Sequence, residues 1–374
     1  MNTTTTYRPG LDGVIAGQTR VSSVEQGRLL YRGYTIQELA EKATFEEVLH
    51  LLLYGELPGD DRLQFILDEL DTYRPLPEPI YHVLNHIPQQ VPMMDVLRTM
   101  VSFAGHFDPI DGHEDDESIR QRAIWLTAQI PSLIAARHRL MHGAEPVPPK
   151  PGLTHAAQIL YQLHGEVPED SAADLLDLSM VLYAEHEFNA STFTCRVICS
   201  TESDLIAAVC GAIGALKGPL HGGANEKSMR MLKQFKTPEE ADHWVHNAFA
   251  GKEKVMGFGH RVYKHGDHRA EVLEHKMRKL AHKLGEEKWL RIYDAIRDPM
   301  RREKNIFPNV DYPCGLTYYL LGLPIDLFTP LFVASRVSGW SAHYLEQHRE
   351  SKIYRPLSEY VGPAERKVPP LDER

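Results

Sequence analysis

Apolar positions recur at helical rather than strand spacing along most of this chain. From Tyr34 to Tyr54 they fall at Ile36, Leu39, Ala40, Ala43, Val48, Leu49, Leu51, Leu52 and Leu53, closer to a 3.6-residue than to a 2-residue period. Thr44 is a good cap, so this stretch predicts two helices that break near Thr44 and stop at Gly55, with Pro58 beyond. Asp170 to Phe188 predicts another helix, opened by Asp170-Ser171 and striped with Leu175, Leu178 and Leu182. Pro330 is placed to open a helix running through Phe332, Val333, Arg336, Val337 and Trp340. Strand-like runs occur only near the start, at Val14-Ile15, Arg20–Val24 and Leu29–Tyr31, and predict short hairpins. The fold class is therefore all-α.

Proline punctuates the pattern at Pro75–Pro79, Pro88–Pro92 and Ala144–Gly152, the last a connecting loop. The polar, proline-bearing Pro363–Arg374 reads as an extended tail. Asp204 to Leu216 is rich in Ala and Gly and leaves little side chain on any face. Glycine in a helix costs about 1 kcal/mol against alanine, so such a helix serves close backbone approach, either inside the core or between subunits.

Bulk properties narrow the function. The 374 residues suffice for two domains, and 43% hydrophobic with 25% charged residues suits a water-soluble enzyme. Fifty-one acidic against 41 basic side chains give a net charge of -10, which argues against a nucleic-acid binder. The N-terminus lacks the apolar core of a signal peptide, and the 12-residue apolar run Leu205–Leu216 is too short to span a bilayer. A cytoplasmic protein with no membrane partner is expected. Four cysteines make no disulfide scaffold. Cys195 and Cys199 share a helix face without the further ligands a zinc site needs, so all four are expected to be small buried residues and no metal is assigned.

Candidate chemistry lies in three irregular segments. Gly218–Glu226 carries His221, Gly257–Lys264 carries His260, and Phe307–Asp311 carries Asp311. Each sets one proton-transferring side chain beside glycine or proline. Pro308 and Pro313 argue against a regular helix around Asp311. Two histidines and a carboxylate make a candidate acid–base site. A helical metal-binding protein using Glu185-His186-Glu187 is the reading from another class. Adjacent helix residues diverge by about 100°, however, and Glu185-His186-Glu187 is not a Glu-x-x-His pair of the di-iron sort.

The order and wording of these segments resemble the citrate synthase family. The resemblance runs from Gly33-Tyr34 to Tyr360–Pro363 and is most specific at Ala184–Thr194, Gly218–Glu226, Gly257–Lys264, Asp326–Phe332 and Ser338–His343. It looks like the compact bacterial type. It implies a large helical domain from residues 1–221 and 323–374, a smaller helical domain from 222–322, and a cleft closing between them. Asp311 would remove a proton from an acyl-CoA, His221 would hold the thioester oxygen, and His260 would polarise the keto oxygen of oxaloacetate. Arg269, Arg336 and Arg355 would clamp the oxaloacetate and citrate carboxylates, the arginine fork being suited to carboxylates, and His186 and Asn189 would also contact substrate. Val255, Met256, Gly257, Phe258, Gly259 and Lys264 would contact CoA. The resemblance further implies a homodimer with shared sites, a tricarboxylic acid cycle enzyme and no cofactor beyond the acyl-CoA cosubstrate. Acetyl-CoA is the expected acyl donor, with propionyl-CoA and 2-methylcitrate as the alternative, and a catalytically silent regulator is more remote. Two departures stand out. Asp267-His268-Arg269 replaces the family's usual Asp-Pro-Arg and leaves the partner of Arg269 open, and Tyr312-Pro313-Cys314-Gly315 stands where many relatives carry an aromatic followed by serine.

Overall fold

The computed structural model describes residues 7–374, apart from residues 26, 111, 113, 260–262, 264, 265 and 351. A small antiparallel sheet comes first, in the order β1 (Ser22–Glu25), β2 (Arg28–Tyr31), β3 (Tyr34–Thr35), with Ser22 opposite Tyr31. The rest is helical. The first group is α1 (Ile36–Lys42), α2 (Phe45–Tyr54), α3 (Asp60–Tyr73), α4 (Glu78–His86), α5 (Met93–Ala104), α6 (Asp116–Met141), α7 (His155–His164), α8 (Asp170–Tyr183), α9 (Ala190–Cys199) and α10 (Leu205–Leu216). Then follow α11 (Ala224–Leu232), α12 (Pro238–Gly251), α13 (His268–Leu284), α14 (Glu287–Lys304), α15 (Asp311–Leu320) and α16 (Phe328–Glu350).

The predicted break at Thr44 is present. Thr44 and Glu47 form a reciprocal capping box on α2, and Gly55 ends that helix at φ 97°. Such a cap contributes about 1 kcal/mol. The longest helices, α6 and α16, are buried on nearly every face from Ile119 to Arg137 and from Phe328 to Leu345. A helix apolar all round belongs in the middle. Accordingly α16 packs against α6, α9, α2, α8 and α10, while α11 and α13 pack on α15 and α12 on α14.

Four expectations are corrected. Val14-Ile15 forms no strand, and Ile15 is exposed, because nothing packs over it. The helix from Asp170 ends at Tyr183 rather than Phe188, where the chain enters a turn with Glu187 at φ 54°. Asp311 does begin a helix. Pro313 falls in its first turn, where the missing N–H has no intrahelical acceptor to lose. For the same reason Pro330 sits in the first turn of α16, which starts two residues earlier at Phe328. Within α10, a Cβ at Gly211 would collide with Ile198 of α9, so this glycine permits close packing inside the chain. Cys195, Cys199 and Cys314 are buried and Cys210 is half-buried; all four are free thiols. Among the described residues no helix is long and apolar enough to cross a membrane.

Candidate active site

The turn after α8 carries the first site residues. His186 Nε2 lies 2.9 Å from the Tyr263 hydroxyl, and the two rings meet edge to face. Asn189 is the N-cap of α9. Its Oδ1 accepts the Ser191 and Thr192 amides, while its Nδ2 donates to the His186 and Glu187 carbonyls and to Thr192 Oγ1. These bonds make Asn189 a builder of the turn.

Ser191, delivered by that cap, holds His221. His221 follows α10 in a tight turn, where its own N–H reaches the Gly218 carbonyl and the Gly222 N–H reaches Leu216. A Cβ at Gly222 would sit 2.5 Å from the Leu216 carbonyl oxygen, so the turn depends on glycine there. The Ser191 amide donates to His221 Nε2 at 3.3 Å, and the Ser191 hydroxyl, which accepts Trp340 Nε1–H, lies 2.9 Å from the same nitrogen. A backbone amide only donates, so Nε2 is an acceptor and the ring proton is on Nδ1. Burial, with help from Arg336, pushes the imidazole down to about 4. His221 is thus a neutral donor whose Nδ1 makes no hydrogen bond among the described residues.

Asp311 is set by the two residues that precede it. Its amide bonds to Asn309 Oδ1 at 3.0 Å, and the amide of Val310 bonds to Asp267 Oδ2 at 3.1 Å. The Tyr183 hydroxyl donates to Asp311 Oδ1 at 2.6 Å. Burial raises the Asp311 carboxyl above its ordinary range, against the lowering pull of Tyr183 and of Arg269. A carboxylate made more basic in this way is suited to taking a proton from carbon.

The arginines differ. Arg269 is buried and held bidentately by Asp267, Nε to Oδ1 at 3.0 Å and Nη2 to Oδ2 at 2.9 Å. That settles its partner, while the novel His268 turns outward to Glu271. Arg336 is equally buried, yet among the described residues it spends only Nε, on the Tyr183 carbonyl at 2.7 Å, and lies over the Phe332 ring. No carboxylate of the described residues reaches ion-pair distance of it. A buried cation without a counter-ion is costly, and an incoming carboxylate relieves that cost.

These contacts bring His186, His221, Arg269, Asp311 and Arg336 to one region. Arg355 is not among them. It is exposed, and its Nη1 bonds the carbonyl of Pro356. Val255–Gly259 is laced to the Asp311 segment. Gly259 N donates to Phe307 O and Asn309 N to Gly257 O, both at 2.9 Å, and Phe258 packs on Tyr312. Gly257, at φ 81°, has no room for a Cβ beside Ser228 and Tyr312. His260 and Lys264 lie outside the described residues. Tyr183, Ser191 and Tyr263 were not legible as site residues. A tyrosine at the end of an apolar helix and a serine after a cap carry no motif of their own.

Comparison with known proteins gives the chain a family. The family model described as "Citrate synthase, C-terminal domain" matches residues 10–357. The chain is 45% identical to "2-methylcitrate synthase 2" of Corynebacterium glutamicum, covering 100% of this chain and 99% of the relative. It is 42% identical to "Citrate synthase 2" of Bacillus subtilis, covering 98% of each. Among solved structures it superposes on citrate synthase from Pyrobaculum aerophilum with a TM-score of 0.90 at 37% identity, over 98% of this chain and 95% of that one. The ternary complex of carboxymethyl coenzyme A and oxaloacetate with citrate synthase from Thermoplasma acidophilum gives 0.91 at 31% identity, over 98% of each chain.

Proposed function

The chain belongs to the citrate synthase family, and from that premise we propose that it condenses an acyl-CoA with oxaloacetate and hydrolyses the resulting thioester, using the site built around His221, Asp311 and Arg336. It is an acyltransferase of the citrate synthase type. The observation that carries the site assignment is Arg336, a buried guanidinium whose hydrogen bonding among the described residues is from Nε alone, beside a carboxylate base and a neutral imidazole donor.

In this reading Arg336 and the free edge of Arg269 hold the oxaloacetate carboxylates, with His186 alongside and Asn189 shaping the turn. Asp311 takes an α-proton from the acyl group while His221 Nδ1–H donates to the thioester oxygen, so base and oxyanion donor act together. The new carbon–carbon bond forms at the keto carbon of oxaloacetate. Its oxygen takes a proton from His260, assigned here by its place in the family's motif. Water then cleaves the thioester, giving the tricarboxylate and CoA thiol. Each developing charge meets an arginine or a histidine, so no metal or further cofactor is assigned. Val255 to Gly259 with Lys264 would line the CoA.

We further infer that residues 222–322 form the smaller domain and close on the remainder, a reading supported by the packing among α11 to α15. A homodimer is supported by the arm after α16, where Ile353, Leu357 and Val361 are exposed. Arg355 on that arm would serve the partner's site. Citrate formation in the tricarboxylic acid cycle and a cytoplasmic setting complete the proposal.

Relatives named for both acyl donors lie at 42–45% identity, so acetyl-CoA and propionyl-CoA are tested side by side. The experiment is thiol release with each acyl-CoA, with and without oxaloacetate. Oxaloacetate-dependent release with either supports the reading, and their rate ratio assigns citrate or 2-methylcitrate. Release that ignores oxaloacetate would contradict it.

A further inference from the structure

The N-terminal hairpin reaches into the site region through two hydroxyls. Ser22 and Tyr31 are register partners across β1 and β2, and both are buried. Tyr31 Oη accepts the N–H of Glu185 at 3.2 Å and donates to the carbonyl of the same residue at 2.8 Å. Ser22 Oγ donates to Glu185 Oε1 at 2.9 Å and accepts the N–H of Glu187 at 3.0 Å. The pair therefore brackets one residue of the turn that presents His186.

That turn needs holding. Glu187 sits at φ 54°, a left-handed conformation that a residue with a side chain rarely adopts. Glu185 is wholly buried, and His343 Nε2 donates to its Oε1 at 2.8 Å from α16. One residue on, His186 meets Tyr263, whose ring lies 5.4 Å from the Arg269 guanidinium. Burial pushes the Tyr31 phenol up, and the charges of Arg269 and Arg336 pull it back down. The hairpin thus backs the side of the site that faces the carboxylate clamp.

We propose that Ser22 and Tyr31 are positioning residues for the dicarboxylate substrate, fixing the Glu185–Glu187 turn so that His186 stands opposite the arginines. The inference rests on the proposed condensation of oxaloacetate. Neither residue touches substrate. Each acts through the turn, by hydrogen bonds between segments more than 150 residues apart in sequence.

The test compares Ser22→Ala, Ser22→Thr and Tyr31→Phe with the wild type by steady-state kinetics, with folding checked by circular dichroism. Losing one such buried bond costs about a factor of ten. Ser22→Ala and Tyr31→Phe should each raise the oxaloacetate KM about tenfold, while the acyl-CoA KM at saturating oxaloacetate stays within about twofold. Ser22→Thr keeps the hydroxyl and should restore the wild-type oxaloacetate KM. Unchanged values in Ser22→Ala and Tyr31→Phe, an equal rise of both KM values, or a threonine variant as impaired as alanine would overturn the proposal. Should Ser22→Ala fail to fold, Tyr31→Phe decides alone. A wild-type protein that releases no thiol in response to oxaloacetate sinks the function and this inference together, whereas an active wild type with unmoved variants sinks only the inference.

Discussion

The Tyr183 hydroxyl donates to Asp311 Oδ1 at 2.6 Å across 128 residues of sequence, and the carbonyl of the same tyrosine takes Arg336 Nε. One residue at the end of α8 therefore connects the carboxylate proposed as base to the cation proposed as substrate anchor. The hydroxyl favours the charged form of Asp311 and works against the burial that raises its pKa.

Tyr183→Phe removes that restraint, so the Asp311 pKa should rise further. The acid limb of the kcat/KM profile then moves to higher pH than in the wild type, and the rate below neutrality falls. A pH–rate profile checks this. An unmoved or lowered acid limb would separate Asp311 from the proton transfer.

Gly339 is the point where α16 crosses the turn after α8. A Cβ there would overlap Glu185 Oε2 and the Ala184 carbonyl. Gly339→Ala should cost about 1–3 kcal/mol by overpacking and push α16, with Arg336 three residues earlier, away from the site. Thermal melting and oxaloacetate calorimetry should both show a loss. A variant with wild-type melting and wild-type binding would contradict the crossing described here.

Much of this was legible in the chain. The Thr44 cap, the end at Gly55 and the buried arginine of α16 follow from local spacing, because capping and periodicity are encoded within a few residues. What escaped was non-local. The stop of α8 at Tyr183 depends on the hairpin and on His343 rather than on a breaker residue. The prolines around Asp311 argue against a helix, whereas the place of Pro313 in the first turn is what a helix tolerates. The partner of Arg269 is Asp267, only two residues away, and nothing in a sequence says which way a guanidinium folds back. Ser191 acts on His221 only once α9 and the end of α10 have been packed together.

Asp177 offers a test of stability against pH. It accepts the Phe45 amide in a mostly buried position beside Glu46, and burial pushes its carboxyl up from 3.8 to about 8. The folded chain then holds a proton that the unfolded chain loses, so this group's contribution to stability declines as pH rises from about 4 to 8. Asp177→Asn imitates the protonated form. It should melt higher than the wild type at pH 9, with the difference narrowing toward pH 5. A constant or reversed difference would refute the assignment.

Sharing of the site between subunits is tested with hybrids. Asp311→Asn and Arg355→Ala, each inactive alone, are unfolded together and refolded. If Arg355 acts in the neighbouring subunit, one site of each hybrid regains both residues, and activity returns to about a quarter of wild type in a random mixture. Well-folded hybrids without recovery would place Arg355 in its own subunit's site or outside the chemistry.

The central claim is that Asp311 performs the proton abstraction while separate groups, Arg336 foremost, hold oxaloacetate. Asp311→Asn keeps the shape and removes the base, so its condensation rate and its oxaloacetate affinity are measured on one preparation. Thiol release should fall by about 10²–10⁴-fold while calorimetric oxaloacetate binding stays close to wild type. A near-normal rate, or a loss of oxaloacetate binding as deep as the loss of rate, would contradict it.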